Sequence, residues 1–207
     1  MAIKILALIG KSGAGKDTIV NWMVSNLPEY HFNKIILTTT RPMRSYEKNH
    51  INYHFISDQV FFSKMGNDQI VGASQFNNWN YGIDIATLKK NQINIGAFNL
   101  AMLEVMKQDP RFEILPIYIY ASPKTRLLRS IMREQNPSYT EICRRFLADE
   151  HDFFEYEDPK DNMKNDFSIP YYINDGDGDF FNVHNIPAVK KVYYWSKLIN
   201  FIKYIII

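Results

Sequence analysis

A glycine-rich segment near the N-terminus has the residue types and spacing of a phosphate-binding loop, or P-loop. It follows a short apolar run, Ile3 to Ile9, and reads Gly-Lys-Ser-Gly-Ala-Gly-Lys-Asp-Thr over residues 10–18. Glycines allow successive backbone N–H groups to point at phosphate oxygens, and a helix that starts there adds the positive end of its dipole. Lys16 then bridges the β- and γ-phosphates of a nucleoside triphosphate. We therefore expect ATP to be bound by Gly10, Ser12, Gly13, Ala14, Gly15, Lys16, Asp17 and Thr18.

Asp17 follows the P-loop lysine, at the position where the common motif has serine or threonine to contact Mg²⁺. A carboxylate there can hold the metal, directly or through water. It can equally stabilise the start of the helix through the helix dipole. Both interpretations stay open at this point, and Asp17 is the candidate metal ligand.

A second segment has two arginines three residues apart and a glutamate three residues later. It reads Thr-Thr-Thr-Arg-Pro-Met-Arg-Ser-Tyr-Glu over residues 38–47, and Asn-Tyr-His-Phe-Ile-Ser follows over residues 52–57. With these residues the chain resembles the guanylate kinase family, and the spacing matches without a gap from Arg41 through Gly82. The resemblance extends from about Ile3 to Asp175. It implies a nucleoside monophosphate kinase that uses ATP and Mg²⁺ as cofactors.

By this resemblance, the second segment binds the phosphate of the acceptor nucleotide. Two guanidinium groups and two phenol hydroxyls can satisfy a dianionic phosphate through charge-assisted hydrogen bonds. The implied acceptor-binding residues are Thr38, Arg41, Arg44, Glu47, Tyr53 and Tyr81.

Further along, Ser-Pro-Lys over residues 122–124 and Ile-Cys-Arg-Arg-Phe over residues 142–146 resemble the lid of the family. Arginines four residues apart lie on one helix face, where they can offset the charge that spreads over phosphate oxygens in a loose transition state. Tyr-Ile-Asn-Asp over residues 172–175 resembles the strand end beside the ATP base, which makes Asn174 an ATP-binding candidate. The catalytic residues implied by the resemblance are Lys16, Arg41, Arg129, Arg133 and Arg145.

The positions at which the family reads guanine hold other residue types here. In place of a glutamate, a hydroxyl residue and a strand-end aspartate, the chain has Gly72, Ile83 and Gly-Ala-Phe-Asn over residues 96–99. A carboxylate can accept hydrogen bonds from guanine, whereas glycine and isoleucine side chains cannot. We therefore expect the base to be read permissively or by other nearby residues, with Gln75, Asn77, Asn78 and Asp84 as candidates.

The absent strand-end aspartates also remove the carboxylates that the resemblance implies for metal binding and positioning. In this hypothesis Asp17 takes over part of that work. Asn94 and Asn99 are uncharged candidates to assist it.

Three functions remain open from the sequence. The first is a nucleoside or deoxynucleoside monophosphate kinase, of the divergent kind encoded by some bacteriophages. The second is a sugar-phosphate kinase similar to ribose 1,5-bisphosphate phosphokinases. The third is a non-catalytic guanylate-kinase-like binding module, although such modules typically lose the P-loop that is intact here. The two-arginine segment with its glutamate and tyrosine favours a nucleotide acceptor.

The elements that must position these residues alternate between strands and helices. The predicted strands are Ile3 to Ile9, Ile35 to Thr39, Gln92 to Phe98, Ile114 to Ala121 and Ser168 to Asn174. The predicted helices are Lys16 to Leu27, Ala101 to Gln108, Pro123 to Glu134, Tyr139 to Glu150 and Pro187 to Tyr204. This alternation indicates an α/β fold of the P-loop NTPase type, with a mostly parallel sheet flanked by helices.

The stretch between Arg41 and Tyr81 breaks that alternation, since it is rich in aromatic and polar residues with short strand-like pieces. We expect a single domain over residues 1–207 with an inserted acceptor-binding subdomain and a helical lid. Its core covers residues 1–40 and 83–207, the insert covers about 41–82, and the lid covers about 123–150.

Composition narrows the function classes. The chain has 207 residues, 46% of them hydrophobic, and 24 basic against 22 acidic residues give a net charge of +2. This balance has no electrostatic signature of nucleic-acid binding. The single cysteine, Cys143, excludes an internal disulfide framework and fits a reducing compartment. The apolar ends are too short to span a bilayer. We expect a cytoplasmic monomer or homodimer that binds small molecules and neither nucleic acid nor membrane.

Overall fold

The computed structural model describes residues 2–44, 47–76, 78–133, 136–154 and 171–174. These residues form two compact units. Within the described ranges, the first unit comprises residues 2–10 and 15–118, and the second comprises residues 11–14, 119–154 and 171–174. The tip of the P-loop, residues 11–14, therefore groups with the second unit, and its two ends group with the first. The predicted division into core, insert and lid stays a prediction.

The described elements follow one another in chain order, with short 3₁₀ turns at Pro28–Tyr30 and Ile85–Thr87. They are β1 (Ile3–Ile9), α1 (Lys16–Asn26), β2 (Asn33–Lys34), β3 (Thr38–Thr39), β4 (His54–Phe55), α2 (Asp58–Gly66), β5 (Ile70–Phe76), β6 (Trp79–Asp84), β7 (Asn94–Ala97), α3 (Leu100–Lys107), β8 (Phe112–Tyr120), α4 (Pro123–Met132), α5 (Tyr139–Asp152) and β9 (Tyr171–Ile173).

The main sheet of the first unit is parallel, in the order β2-β7-β1-β8. Ile5 of β1 lies between Asn94 of β7 and Ile114 of β8. Every residue of β1 except Lys4 is buried, which is typical of a parallel strand that is covered on both faces. Since ligands of open α/β sheets bind at the carboxyl ends of the strands, β1 delivers the P-loop to the edge expected of a binding site.

A second sheet in the first unit has the order β4-β3-β6-β5. β3 pairs in parallel with β4 and antiparallel with β6, and Thr39 lies opposite Tyr81. β5 and β6 form an antiparallel pair whose register shifts between Val71 and Ser74. This sheet therefore brings together segments from both ends of the predicted insert.

The helices of the first unit begin at identifiable caps. Ser57 caps α2 by accepting a hydrogen bond from the backbone N–H of Val60, and Asn99 caps α3 by accepting one from the N–H of Met102. α3, which matches the helix predicted from Ala101 to Gln108, buries Met102, Leu103 and Met106 on one face.

The second unit consists of the P-loop tip, α4, α5, the end of β8 and β9. Ser122 caps α4, and Pro123 takes the first helical position, where its missing N–H is not needed. Ser138 caps α5 through the N–H of Glu141. The N–H of Asn174 donates to the carbonyl of Tyr120 at 2.7 Å, which aligns the residue after β9 with the end of β8.

The predicted fold class, α/β with a mostly parallel sheet and flanking helices, is confirmed. The strand predicted from Ile35 to Thr39 is wrong in detail, because Asn33–Lys34 and Thr38–Thr39 are separate strands that belong to different sheets. α2 was not predicted. The helix predicted from Pro187 to Tyr204 and the start of the strand predicted from Ser168 lie outside the described residues.

None of the helices in the described ranges is both long and apolar enough to cross a membrane.

Candidate active site

The two ends of the predicted P-loop lie in the first unit. β1 ends at Ile9, and Gly15 reaches α1 with a φ of 93°, a left-handed conformation that favours glycine. The ammonium group of Lys16 donates to the carbonyl of Gly10 at 2.6 Å, so the lysine folds back along its own loop. Asp17 and Thr18 follow on the first turn of α1, and both are exposed. The predicted ATP-binding residues of this part therefore lie at one helix start.

Arg41 and Glu47 form a buried ion pair in the first unit. The guanidinium Nη2 donates to Glu47 Oε1 at 2.6 Å, and the two side chains are 6% and 5% exposed. Burial alone would raise the pKa of Glu47, but hydrogen bonds from Arg41 and from the N–H of Arg44, together with both positive charges, hold that pKa below its usual range. Burial would likewise lower the pKa of Arg41, yet Glu47 raises it. Both groups are therefore charged at neutral pH.

Two tyrosines complete the aromatic side of this cluster. The Arg41 guanidinium carbon lies 5.2 Å from the ring centroid of Tyr53 and 5.5 Å from that of Phe55. Tyr53 and Tyr81 meet edge to face with centroids 6.2 Å apart. Burial raises the pKa of the Tyr53 phenol, and the negative charge of Asp17 adds to the rise. Tyr53 is therefore a hydroxyl donor at neutral pH, available in principle to a phosphate oxygen.

Arg44 and Thr38 take different positions around the same cluster. The backbone N–H of Arg44 donates to Glu47 Oε2 at 2.9 Å, and its guanidinium charge contributes to the lowered pKa of Glu47. Thr38 is buried in β3 opposite Gly82. The neighbouring Thr39 hydroxyl accepts the N–H of Arg41 at 3.2 Å. The structure thus brings the six predicted acceptor residues onto one sheet and its adjoining loop.

The P-loop tip in the second unit is held by Arg129 and Asn174. The Arg129 Nη1 donates to the carbonyls of Gly13 and Ala14 at 3.3 and 3.4 Å, and its Nη2 donates to the carbonyl of Asn174 at 3.0 Å. The Asn174 side-chain amide donates to the Ala14 carbonyl at 2.8 Å. Both residues were predicted as site residues, and here they bind the backbone of the loop itself.

Arg133 and Arg145 line one cleft in the second unit. Arg145 comes from α5, where its Nε donates to Glu141 at 2.9 Å, and Arg133 follows the last turn of α4. The cleft is lined by Ser12, Leu127, Ser130, Arg133, Ile142, Arg145, Phe146 and Asp149. Two predicted lid arginines and a residue of the P-loop tip therefore share one cleft.

Arg126, Asp149 and Glu150 of this unit were not predicted as site residues from the sequence. Arg126 is 1% exposed and pairs with Glu150, and Asp149 accepts the backbone N–H of Ser12 at 2.7 Å. A weak signal existed, because Arg126 precedes Arg129 by three residues and so occupies nearly the same helix face.

The expected base-reading positions are closed by apolar packing. Gly72 has a φ of 60°, and a Cβ on it would lie 2.8 Å from the Met106 side chain and 3.1 Å from Met102. Ile83 is fully buried. A longer residue at position 72 would need both methionines to shift and would be strained in this backbone conformation. The space that a glutamate side chain at position 72 would need is therefore filled by Met102 and Met106.

The polar residues that were predicted to read the base or to assist Asp17 differ in their exposure and in their hydrogen bonds. Asp84 pairs with Lys64 at 2.6 Å and caps a 3₁₀ turn, while Gln75 and Asn78 are exposed. Asn77 lies outside the described residues. Asn94 is fully buried with its amide bonded to Lys4, Lys89 and Asn33, which gives it a structural role instead of the expected assisting one. Asn99 caps α3 and donates to Ser74 at 3.1 Å.

Among the residues that the structure describes, no group of three or more histidine, cysteine or acidic side chains is placed to hold a metal ion. Asp17 is an exposed carboxylate next to Lys16. This donor fits Mg²⁺, because that ion is usually bound by one or two carboxylates and completed by substrate phosphates and water.

Comparison with known proteins identifies the family. The guanylate kinase family model matches residues 2–166. The guanylate kinase of Malacoplasma penetrans (strain HF-2) is 34% identical over 87 residues, which are 42% of this chain and 44% of that protein. The chain thus spans less than half the length of that relative. The guanylate kinase of Synechococcus sp. (strain JA-3-3Ab) is 28% identical over 171 residues, 78% of this chain and 77% of that protein.

A solved structure, that of guanylate kinase from Anaplasma phagocytophilum, superposes with a TM-score of 0.55 at 17% identity. It covers 84% of this chain and 78% of that chain. At this identity the likeness is one of fold.

Proposed function

The chain belongs to the guanylate kinase family, and from that premise we propose that it transfers the γ-phosphoryl group of ATP to a nucleoside monophosphate. The products are ADP and a nucleoside diphosphate. The observation that carries the proposal is the co-occurrence in one unit of the P-loop lysine, Lys16, and the buried Arg41–Glu47 pair with its two tyrosines. One group suits a triphosphate and the other suits an acceptor phosphate.

In this proposal, acceptor binding depends on the Arg41 cluster, which consists of Arg41, Glu47, Tyr53 and Tyr81. Glu47 neutralises and orients Arg41, so the guanidinium is held rigid by its neighbours before any ligand arrives. Pre-oriented donors lose little side-chain entropy on binding, which favours a dianionic phosphate. Arg44 and the phenols of Tyr53 and Tyr81 supply the further donors in this proposal.

Chemistry then needs no covalent intermediate and no general base. An oxygen of the acceptor phosphate attacks the γ-phosphorus in line, the bond to the β–γ bridging oxygen breaks, and ADP departs with that electron pair. Lys16, Arg129, Arg133 and Arg145 offset the charge on the phosphoryl oxygens. Mg²⁺, when bound with ATP, supplies further charge neutralisation of the phosphates, and Asp17 is the residue proposed to hold it.

The base of the acceptor is proposed to be read loosely. Gly72 and the buried Ile83 offer no side-chain hydrogen bond to a base. A pocket built to hydrogen-bond a substrate group can reject analogues by about 10⁴-fold, whereas apolar contacts discriminate by about 10- to 200-fold. We expect kcat/KM for the accepted monophosphates to differ within the smaller range.

The test is an ADP-release assay of the whole chain with ATP, Mg²⁺ and each common ribo- and deoxynucleoside monophosphate, with ribose 1,5-bisphosphate as the competing acceptor. Turnover with a nucleoside monophosphate and slow ATP hydrolysis without acceptor support the proposal. Activity with ribose 1,5-bisphosphate alone supports a sugar-phosphate kinase, and no activity with any acceptor supports a binding module. A preference for GMP or dGMP above about 10⁴-fold contradicts the loose reading of the base.

Substitution of the acceptor arginines separates the two substrates. We expect Arg41→Ala and Arg44→Ala to raise KM for the acceptor about 10- to 100-fold, the range for lost hydrogen bonds to a charged group. KM for ATP should stay close to wild type. Equal losses for both substrates would contradict the assignment of Arg41 and Arg44 to the acceptor.

A further inference from the structure

Two consecutive carboxylates near the end of α5 bind the P-loop tip. Asp149 accepts the backbone N–H of Ser12 at 2.7 Å, and Glu150 accepts the ammonium group of Lys11 at 2.8 Å. Lys11 is only 3% exposed, so its charge has left water almost completely. Glu150 therefore contributes a compensating negative charge to a buried ammonium group at the tip of the predicted phosphate-binding loop.

Arg126 supports both carboxylates from α4. Its Nη2 donates to Glu150, its Nε donates to the carbonyl of Ala121 at 3.1 Å, and its guanidinium carbon lies 4.7 Å from the ring centroid of Phe146. Its Nη1 is buried without a hydrogen-bond partner among the described residues and lies 3.9 Å from Asp149 Oδ2. The Arg126 guanidinium group therefore lies next to the carboxylates of both Asp149 and Glu150.

The backbone of the P-loop tip packs directly on α4, the helix that carries Arg126. A Cβ added to Gly13 would lie 2.7 Å from the carbonyl oxygen of Arg126, and Gly13 has a φ of 79°. No side chain fits at this point without moving the backbone. The tip therefore packs on α4 through Gly13 and is hydrogen-bonded to α5 through Ser12 and Lys11.

Burial would raise the pKa of Glu150, but hydrogen bonds from Lys11 and Arg126 hold it below its usual range. The carboxylate is therefore ionised at neutral pH. Buried ion pairs are expensive to assemble and contribute little to stability compared with apolar packing. A network of this kind at the loop where a phosphate is expected points to positioning.

We infer that Asp149 and Glu150 are positioning residues for ATP. They fix the backbone of residues 11–14 through the Ser12 N–H and the Lys11 ammonium group, so the position of α5 sets the geometry of the loop tip and, through it, the affinity for ATP. This inference rests on the proposed function and extends it to residues that the P-loop motif does not include. Neither carboxylate needs to touch the nucleotide.

The experiment compares Asp149→Ala with Asp149→Asn in the full chain. Asparagine keeps an oxygen that can accept the Ser12 N–H, whereas alanine does not. We expect Asp149→Ala to weaken binding of the non-hydrolysable analogue adenylyl imidodiphosphate by about tenfold or more in calorimetry, the scale of one hydrogen bond to a charged acceptor. Asp149→Asn should recover most of that affinity, and KM for the acceptor should not change in either variant.

Glu150→Gln tests the second carboxylate, and Asp152→Asn is the matched control, since it removes an exposed charge from the same helix. We expect a several-fold loss of analogue affinity in the first variant and none in the second. Amide hydrogen exchange tests the hydrogen bond between Ser12 and Asp149 directly. The Ser12 N–H should exchange faster in Asp149→Ala than in wild type.

Wild-type affinity in Asp149→Ala, or tighter binding, would overturn the inference, and tighter binding would mean that Asp149 competes with phosphate for the N–H. An equal loss in Asp149→Asn and Asp149→Ala, or a parallel rise in KM for the acceptor, would also overturn it in favour of a general structural role. A wild-type chain that binds the analogue but transfers no phosphoryl group would contradict the proposed function alone.

Discussion

Two buried arginines, Arg41 in the first unit and Arg126 in the second, are neutralised in different ways. Arg41 pairs with Glu47, six residues along the chain, within one loop. Arg126 pairs with Glu150, 24 residues along the chain, from a different helix. A pair closed by one loop leaves a recognisable spacing in the sequence, whereas a pair closed by helix packing leaves none. This difference explains why one cluster was predicted and the other was found only in the structure.

The two pairs also differ in exposure. The Glu47 side chain is 5% exposed and that of Glu150 is 39% exposed. Water therefore screens Glu150 and can replace part of its interaction, while Glu47 has no such substitute. Substitution of one partner should therefore lower the free energy of unfolding more for the Arg41–Glu47 pair than for the Arg126–Glu150 pair.

The largest expected effect comes from breaking the Arg41 pair. Glu47→Ala should lower the free energy of unfolding by about 3–5 kcal/mol, because it leaves a buried guanidinium uncompensated. Urea denaturation measures this, and Glu104→Ala is the control, since Glu104 forms an exposed pair with Lys107 worth at most about 1 kcal/mol. Similar losses in the two variants would contradict the distinction between buried and exposed pairs.

Substitution of Lys16 separates chemistry from stability. Lys16→Ala should reduce turnover at least ~100-fold, the scale of one preorganised charge contact, and leave the fold intact. Steady-state kinetics and thermal unfolding measure the two quantities, with Lys4→Ala, at the exposed residue of β1, as the control. Near-normal turnover in Lys16→Ala would refute the assignment of the P-loop lysine.

A smaller effect is expected at Arg126. Arg126→Met keeps much of the apolar stem but removes the guanidinium group that lies over the Phe146 ring, and Lys11 remains as a partner for Glu150. We expect unfolding free energy to fall by about 1–3 kcal/mol, below the loss in Glu47→Ala. Urea denaturation of both variants side by side gives the comparison. A larger loss in Arg126→Met would reverse the order inferred from exposure.

The smallest expected effect is on how steeply the free energy of unfolding falls as the pH is lowered. This slope should differ between variants of Glu47 and Glu150 at acidic pH but not near neutral pH. The pKa values of Glu47 and Glu150 both lie below the usual carboxyl range in the folded chain, because bound cations outweigh burial. The unfolded chain therefore takes up these protons first as the pH falls, and the stability that each pair contributes is present above the ordinary carboxyl pKa and is lost below it.

We accordingly expect Glu47→Gln to flatten the fall in unfolding free energy between about pH 5 and pH 3, and Glu150→Gln to flatten it less. Denaturant titrations at several pH values measure these slopes. A steeper slope in Glu47→Gln than in wild type would mean that Glu47 is not ionised in the folded state.

Much of the first sheet could be predicted from the chain alone. Continuous apolar runs such as Ile3–Ile9 are long enough to indicate buried parallel strands, and Ser122 with Pro123 marks the start of α4. The P-loop was predicted because its residue types and spacing form one short run, and the Arg41 segment was predicted from its resemblance to the guanylate kinase family; the roles of both stay predictions. Glycine at positions 13 and 15 serves conformations that few other residues adopt.

The insert could not be predicted to the same depth. β3 has only two residues, and its hydrogen bonds go to β4 and β6 instead of the main sheet, so the apolar run from Ile35 to Thr39 had no local signal of a break. α2 contains both exposed and buried aromatic residues, Phe62 and Phe61, which obscures a helical period. Tertiary pairing overrides local propensity in such short elements.

By itself the sequence determined the fold class and the family, because these follow from the alternation of strands and helices and from motifs of consecutive residues. It also predicted the phosphate-binding residues, and those assignments stay predictions. Only the tertiary structure decided what surrounds them. The Lys11–Glu150 and Ser12–Asp149 contacts join residues 139 and 137 positions apart, and Met106 closes the space over Gly72 from a different element. Contacts of that range depend on how helices pack, and packing depends on the whole set of buried side chains at once.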